Sequence, residues 1–67
     1  MNDRTITDMY NRPIGVIRKS STGEIAEAWG GLRLGYYDSR TNTTTDAYGK
    51  PIGYGNLCEA LIYSNNR

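Results

Sequence analysis

Histidine and phenylalanine are missing from this 67-residue chain, and cysteine occurs once. Each absence removes a class of function. Without His, and with Cys58 as the one thiol, a structural zinc site of four Cys or His ligands cannot be assembled. A lone Cys also excludes an intrachain disulfide. No imidazole is available to activate Cys58 or any Ser or Thr hydroxyl, so hydrolase chemistry of the Cys or Ser type has no support. A buried structural thiol is the expected role for Cys58, which lies in the most apolar stretch, Leu57 to Ile62.

Long apolar runs are missing too. None approaches the roughly 18 residues of a membrane span, and Met1-Asn2-Asp3-Arg4 leads into polar sequence rather than a signal peptide. Membrane insertion is not expected, and no compartment is indicated. An excess of charge is likewise absent: eight Lys+Arg against seven Asp+Glu give a net +1. Nucleic-acid binders are usually far more basic, with the charge clustered. Arg18-Lys19 reads as a solvated strand end, so no nucleic-acid partner is expected. Gly53-Tyr54-Gly55 matches only part of a dinucleotide fingerprint, and no helix is expected after it. No catalytic residue, metal ligand set or cofactor can be named, and the chain is not expected to be an enzyme.

What remains favours β structure. Six Tyr and one Trp carry the aromatic load, and Gly occurs eight times. Tyr, Thr and Ile suit pleated surfaces, while Gly and Asn suit tight turns. The stretch read as a helix candidate is Gly23–Trp29, too short to be stable on propensity and stopped by Gly30-Gly31. A single domain, 1–67, of this size buries only about 60% of its unfolded surface and usually needs a disulfide, a metal or a partner. With the first two excluded, self-association is the expected reinforcement.

The chain repeats itself. Thr7-Asp8-Met9-Tyr10-Asn11-Arg12-Pro13-Ile14-Gly15 returns 38 residues later as Thr45-Asp46-Ala47-Tyr48-Gly49-Lys50-Pro51-Ile52-Gly53. Half that offset, 19, points to a middle copy at Glu27-Ala28-Trp29-Gly30, with Trp29 midway between Tyr10 and Tyr48. Gly31 to Tyr36 then continue it with one extra residue and no Pro. The units read as 6–24, 25–43 and 44–61, with an incomplete fourth at 62–67 that begins as a strand.

Each unit reads as a hairpin. Asp at the first position of a type I turn accepts from backbone N–H groups further on. Asn11, Gly30 and Gly49 then fall where a left-handed residue is wanted, the three-residue loop with a bulge. A two-residue loop at Gly49-Lys50 is the alternative geometry. Pro13 and Pro51 belong at strand starts, and Gly15, Gly35 and Gly53 mark a bulge, bend or close approach inside strands. The expected architecture is all-β, with about three antiparallel hairpins plus a final strand, arranged radially or as a small barrel-like sheet.

The unit hydrophobic-x-Asp-x-Tyr-Gly-Arg-x-hydrophobic-Gly resembles the bacterial β-flower proteins, in which short hairpins radiate about a pseudo-symmetry axis. The resemblance is carried by Asp8, Tyr10, Asn11, Arg12, Ile14 and Gly15, and by Asp46, Tyr48, Gly49, Lys50, Ile52 and Gly53. Glu27 and Trp29 replace Asp and Tyr in the middle copy. The resemblance implies a fold and no settled activity.

Three sets of residues recur at one station. Asp8, Glu27 and Asp46 could ring a cation, but turn capping is the favoured reading. Arg12, Arg33 and Lys50 read as solvated loop residues rather than an anion site. Tyr10, Trp29 and Tyr48 read either as a structural cluster, which is favoured, or as a stacking platform for a glycan or other cell-surface ligand. Tyr36, Tyr37, Tyr54 and Tyr63 are expected at core and interface positions. The expected function is a structural or protein-interaction module that forms a homodimer. Its interface would be Leu61, Ile62 and Tyr63, pairing across the unfinished strand.

Overall fold

The computed structural model describes residues 3–66. Six strands follow in order: β1 (Arg4–Thr7), β2 (Pro13–Lys19), β3 (Gly23–Ala28), β4 (Arg33–Asp38), β5 (Thr43–Asp46) and β6 (Pro51–Tyr54). They form one antiparallel sheet in the order β1-β2-β3-β4-β5-β6. Three hairpins thus stand side by side, joined by the β2–β3 and β4–β5 ladders. The helix candidate, Gly23–Trp29, is instead the strand β3 as far as Ala28, with Trp29 in the turn that follows. Among the described residues the sheet is not closed into a barrel, because β1 and β6 each pair on one side only.

The C-terminal segment differs from expectation. Cys58–Asn65 is a helix, α1, where a final strand was expected from Ile62 onward. Arg67, the last residue of that expected strand, lies outside the described residues. The physical reason is periodicity. Cys58, Leu61 and Ile62 fall at i, i+3 and i+4, which gathers them on one helical stripe. Eight residues cannot hold a helix alone, so the sheet must support it, and α1 packs on β2, β3 and β4. Its start is tied down by side chains: Leu57 N–H donates to Thr44 Oγ1 (3.0 Å) and Cys58 N–H to Asn56 Oδ1 (3.1 Å). The Thr44 hydroxyl is fully buried and donates to Gly55 O at 2.6 Å, so its polar atom is satisfied on both counts.

The recurring glycines explain why the helix fits. A Cβ at Gly15 would stand 2.6 Å from Ile62 Cγ2, one at Gly35 2.7 Å from Leu61 Cδ1, and one at Gly53 3.0 Å from Leu57 Cδ1. One glycine per hairpin therefore receives one apolar side chain from the C-terminal segment. The core is Ile6, Ile14, Ile17, Ala26, Cys58 and Ile62, with Leu34, Tyr37 and Leu61 packed against it. Each hairpin also slips register beside its glycine, leaving Ile14, Leu34 and Ile52 as the extra residue of its outgoing strand. A bulge re-aims side chains, and Ile14 and Leu34 join the core.

Candidate binding surface

The three hairpin turns lie at one end of the sheet, and their geometry follows from Asp, Asn and Gly. In the first, Asn11 N–H donates to Asp8 O (3.0 Å), Asp8 N–H donates to Arg12 O (2.9 Å), and Asn11 has φ 64°. The third repeats this: Gly49 N–H to Asp46 O (3.1 Å), Asp46 N–H to Lys50 O (2.9 Å), with φ 84° at Gly49. Both match the three-residue loop with a left-handed third residue. Asp8 Oδ1 accepts from Tyr10 and Arg12 N–H at 2.9 and 3.0 Å, and Asp46 Oδ1 from Tyr48 and Lys50 N–H, both at 2.9 Å. The two aspartates are turn caps. The Arg12 backbone N–H is the main reason the Asp8 carboxyl sits below its ordinary pKa, with help from Tyr10 N–H and the Arg12 side chain against the opposing effect of burial.

The middle turn is shifted by one residue from the expected alignment. Gly31 N–H donates to Ala28 O (2.9 Å) and Ala28 N–H to Leu32 O (2.7 Å). Ala28 therefore takes the place of Asp8 and Asp46, and Gly31 that of Asn11 and Gly49. Both Gly30 (φ 117°) and Gly31 (φ 101°) are left-handed, a demand that Gly meets without steric cost. Glu27 is consequently no turn acid. It lies on β3 and accepts from Arg18 Nε at 3.0 Å, so Asp8, Glu27 and Asp46 form no ring. Trp29 stands one position earlier in its loop than Tyr10 and Tyr48 in theirs.

The aromatics of the turns face solvent. Tyr10 is 71% exposed, Trp29 56% and Tyr48 95%. They do not form a buried structural cluster. Adjacent strands lie about 4.8 Å apart, so neighbouring hairpins, two strands along, place their tips roughly 10 Å apart before twist. The tips also carry Met9, which sequence reasoning did not single out, and Leu32, both exposed large apolar side chains. Their signal was an apolar residue inside a turn, where polar residues are the norm. Polar groups are interleaved: the Arg12 guanidinium lies 5.1 Å from the Tyr10 ring centroid and donates to Asp8 Oδ2 at 3.1 Å. Between the second and third tips, Leu32, Arg33, Tyr48 and Asn65 border an open depression of about 360 Å³.

The expected interface residues are elsewhere. Ile62 is fully buried in the core, and Leu61 packs on Gly35; of that trio Tyr63 alone is half-exposed, its hydroxyl donating to Thr7 O at 3.4 Å. Pairing of a terminal strand through Leu61, Ile62 and Tyr63 is therefore overturned, because these residues cover their own sheet. Cys58 is buried, and burial, followed by the nearby Glu24 charge, pushes its thiol up to about 11. It is protonated at neutral pH and a poor nucleophile. A helix does follow Gly53-Tyr54-Gly55, but Asn56 and Thr44 already occupy its first N–H groups. Among the described residues, no three His, Cys, Asp or Glu side chains gather as a metal site, and no helix is long and apolar enough to cross a membrane. No protein family, curated protein or solved structure matches this chain.

Proposed function

We propose that the chain is a non-catalytic binding module whose contact surface is the row of hairpin tips, with Tyr10, Trp29 and Tyr48 as stacking groups for a glycan chain. The exposure of these three rings on adjacent tips carries the reading. A pyranose presents an apolar face that stacks on an aromatic ring and hydroxyls that reach polar neighbours, here Asn11, Arg12, Arg33 and Lys50. A polymer, rather than a single sugar, spans tips set roughly 10 Å apart. The same proposal treats the chain as one domain in which a single hairpin unit is written three times, as in the β-flower proteins. Its support is the recurrence of turn, bulged residue and glycine in each hairpin.

The test is an oligosaccharide array followed by calorimetry. The chain is expected to bind at least one glycan class. By analogy with rings stacked on nucleobases, each single change, Tyr10→Ala, Trp29→Ala or Tyr48→Ala, should weaken binding roughly tenfold. The triple variant should bind nothing while its circular dichroism stays unchanged. An array without a bound glycan, or binding that survives in the triple variant, would sink the reading. A second reading, a structural module that self-associates, is favoured by a separate observation: the uncovered outer edge of β6.

A further inference from the structure

We propose that β6 pairs antiparallel with β6 of a second copy of this chain, with Gly53 at the two-fold axis. The fold itself says what this edge is built to meet. Among the described residues, β2 and β4, the outgoing strands of the first two hairpins, each pair on both sides, whereas β6 pairs with β5 alone. Ile14 is the bulged residue of β2, as Ile52 is of β6, and its carbonyl accepts from Trp29 N–H of the next hairpin at 3.1 Å. Among the described residues, no further hairpin meets the corresponding carbonyl of Ile52.

The direction of the neighbouring groups follows from the ladder. Gly55 N–H donates to Asn42 O at 2.8 Å. Antiparallel pairs alternate between hydrogen-bonded and open. Gly53, opposite Thr44, therefore turns its backbone groups inward, and Tyr54, opposite Thr43, turns its own outward. Tyr54 N–H and C=O and the Ile52 carbonyl are thus a strand edge without a strand. Only an extended backbone satisfies such a row.

A second β6 fits it best. With Gly53 on the axis, Ile52 of each copy lies opposite the partner's Tyr54, and each Tyr54 N–H reaches the partner's Ile52 carbonyl. The two glycines then form the close, non-hydrogen-bonded pair, where Cα atoms approach to about 4.5 Å. No charged residue stands between Pro51 and Cys58, so the pairing sets no like charges against each other. The opposite edge is built otherwise: β1 opens with Arg4, paired to Glu59 at 2.9 Å, beside Asp3, paired to Arg18 at 2.7 Å. Charge at an edge is a common guard against pairing. Ile52 is 44% and Tyr54 83% exposed, and both border an open depression of about 450 Å³ that can accept the partner's side chains.

Sedimentation velocity of the full chain, from low micromolar to near-millimolar concentration, tests this. The chain is expected to dimerise. Tyr54→Lys and Ile52→Lys should each raise the dissociation constant by roughly tenfold or more. Thr5→Lys on β1 should leave it unchanged, with all three variants folded by circular dichroism. A monomer at every concentration overturns the proposal. So does a dimer that Thr5→Lys weakens and Tyr54→Lys does not, or open-ended growth, which would mean β6 meets β1. Tyr54 and Ile52 lie outside the tip row, so glycan binding measured on the same variants separates failure of this pairing from failure of the glycan reading.

Discussion

At the scale of the residue, Asp8 shows how much of a turn one carboxylate organises. Its Oδ1 gathers two backbone N–H groups and its Oδ2 takes the Arg12 Nε. These donors favour the ionised form, so the folded pKa lies below the ordinary 3.8. Asp38 is held down in the same direction, first by the Arg40 side chain and then by the Arg40 backbone N–H. A group depressed on folding contributes stability above its unfolded pKa and loses it as pH falls through the folded value. The melting temperature should therefore drop as pH falls below about 4. The double variant Asp8→Asn/Asp38→Asn should show a shallower drop, because Asn cannot be protonated there. Superimposable pH profiles for the two proteins would count against this account. Residue identity also made these turns legible. Asp, then Asn or Gly three positions on, fixes a capped loop from local chemistry alone. The middle turn was misplaced by one residue because Trp29 sits midway between two tyrosines. The backbone instead obeys its consecutive left-handed glycines, Gly30 and Gly31.

At the scale of the element, the hairpins were legible and the helix was not. Six strands follow from turn residues that punctuate short runs of Ile, Thr and Tyr. The stripe Cys58-Leu61-Ile62 was also present in the sequence, but Ile62-Tyr63 coincides with the start of the repeat unit, and a strand was the stronger expectation. The outcome turns on a tertiary fact: three glycines, one per hairpin, leave room for Leu57, Leu61 and Ile62. Those glycines were expected to mark a bulge, a bend or a close approach, with no helix in view. A gradient of effects follows. At Gly15 the added Cβ meets the Glu27 carbonyl as well as Ile62, and at Gly35 it meets the Thr45 carbonyl as well as Leu61. Backbone cannot step aside, so Gly15→Ala and Gly35→Ala should each lose about 1–3 kcal/mol. At Gly53 the one close neighbour is the flexible end of Leu57, and Gly53→Ala should cost less than either. Urea unfolding midpoints for the three variants measure this order, and a Gly53→Ala variant as unstable as Gly15→Ala would refute it.

At the scale of the whole molecule, an open strand edge, not an incomplete core, is the feature that calls for a partner. The sequence argued that so short a chain needs reinforcement. The Cα radius of gyration is 11.1 Å, close to the roughly 11 Å of a compact domain this long. Among the described residues no buried side-chain polar atom lacks a partner. The helix supplies the reinforcement, and a second copy is argued from an uncovered edge rather than from an incomplete core. That distinction has a geometric consequence. Hairpin tips cluster at one end of the sheet, and antiparallel pairing of β6 turns the second copy end over end. The proposed dimer would then carry one tip row at each end of a twelve-strand sheet, facing in opposite directions. Two sites so arranged cannot both grip one flat surface, but they can bridge two surfaces, and bridging multiplies weak contacts. Beads coated with a glycan that the chain binds should therefore be agglutinated by the native protein. Tyr54→Lys should bind the same soluble glycan with unchanged affinity and leave the beads dispersed. Agglutination by the monomeric variant would mean that bridging does not depend on the dimer, and its absence with a native protein that both dimerises and binds would mean that the two tip rows do not point apart.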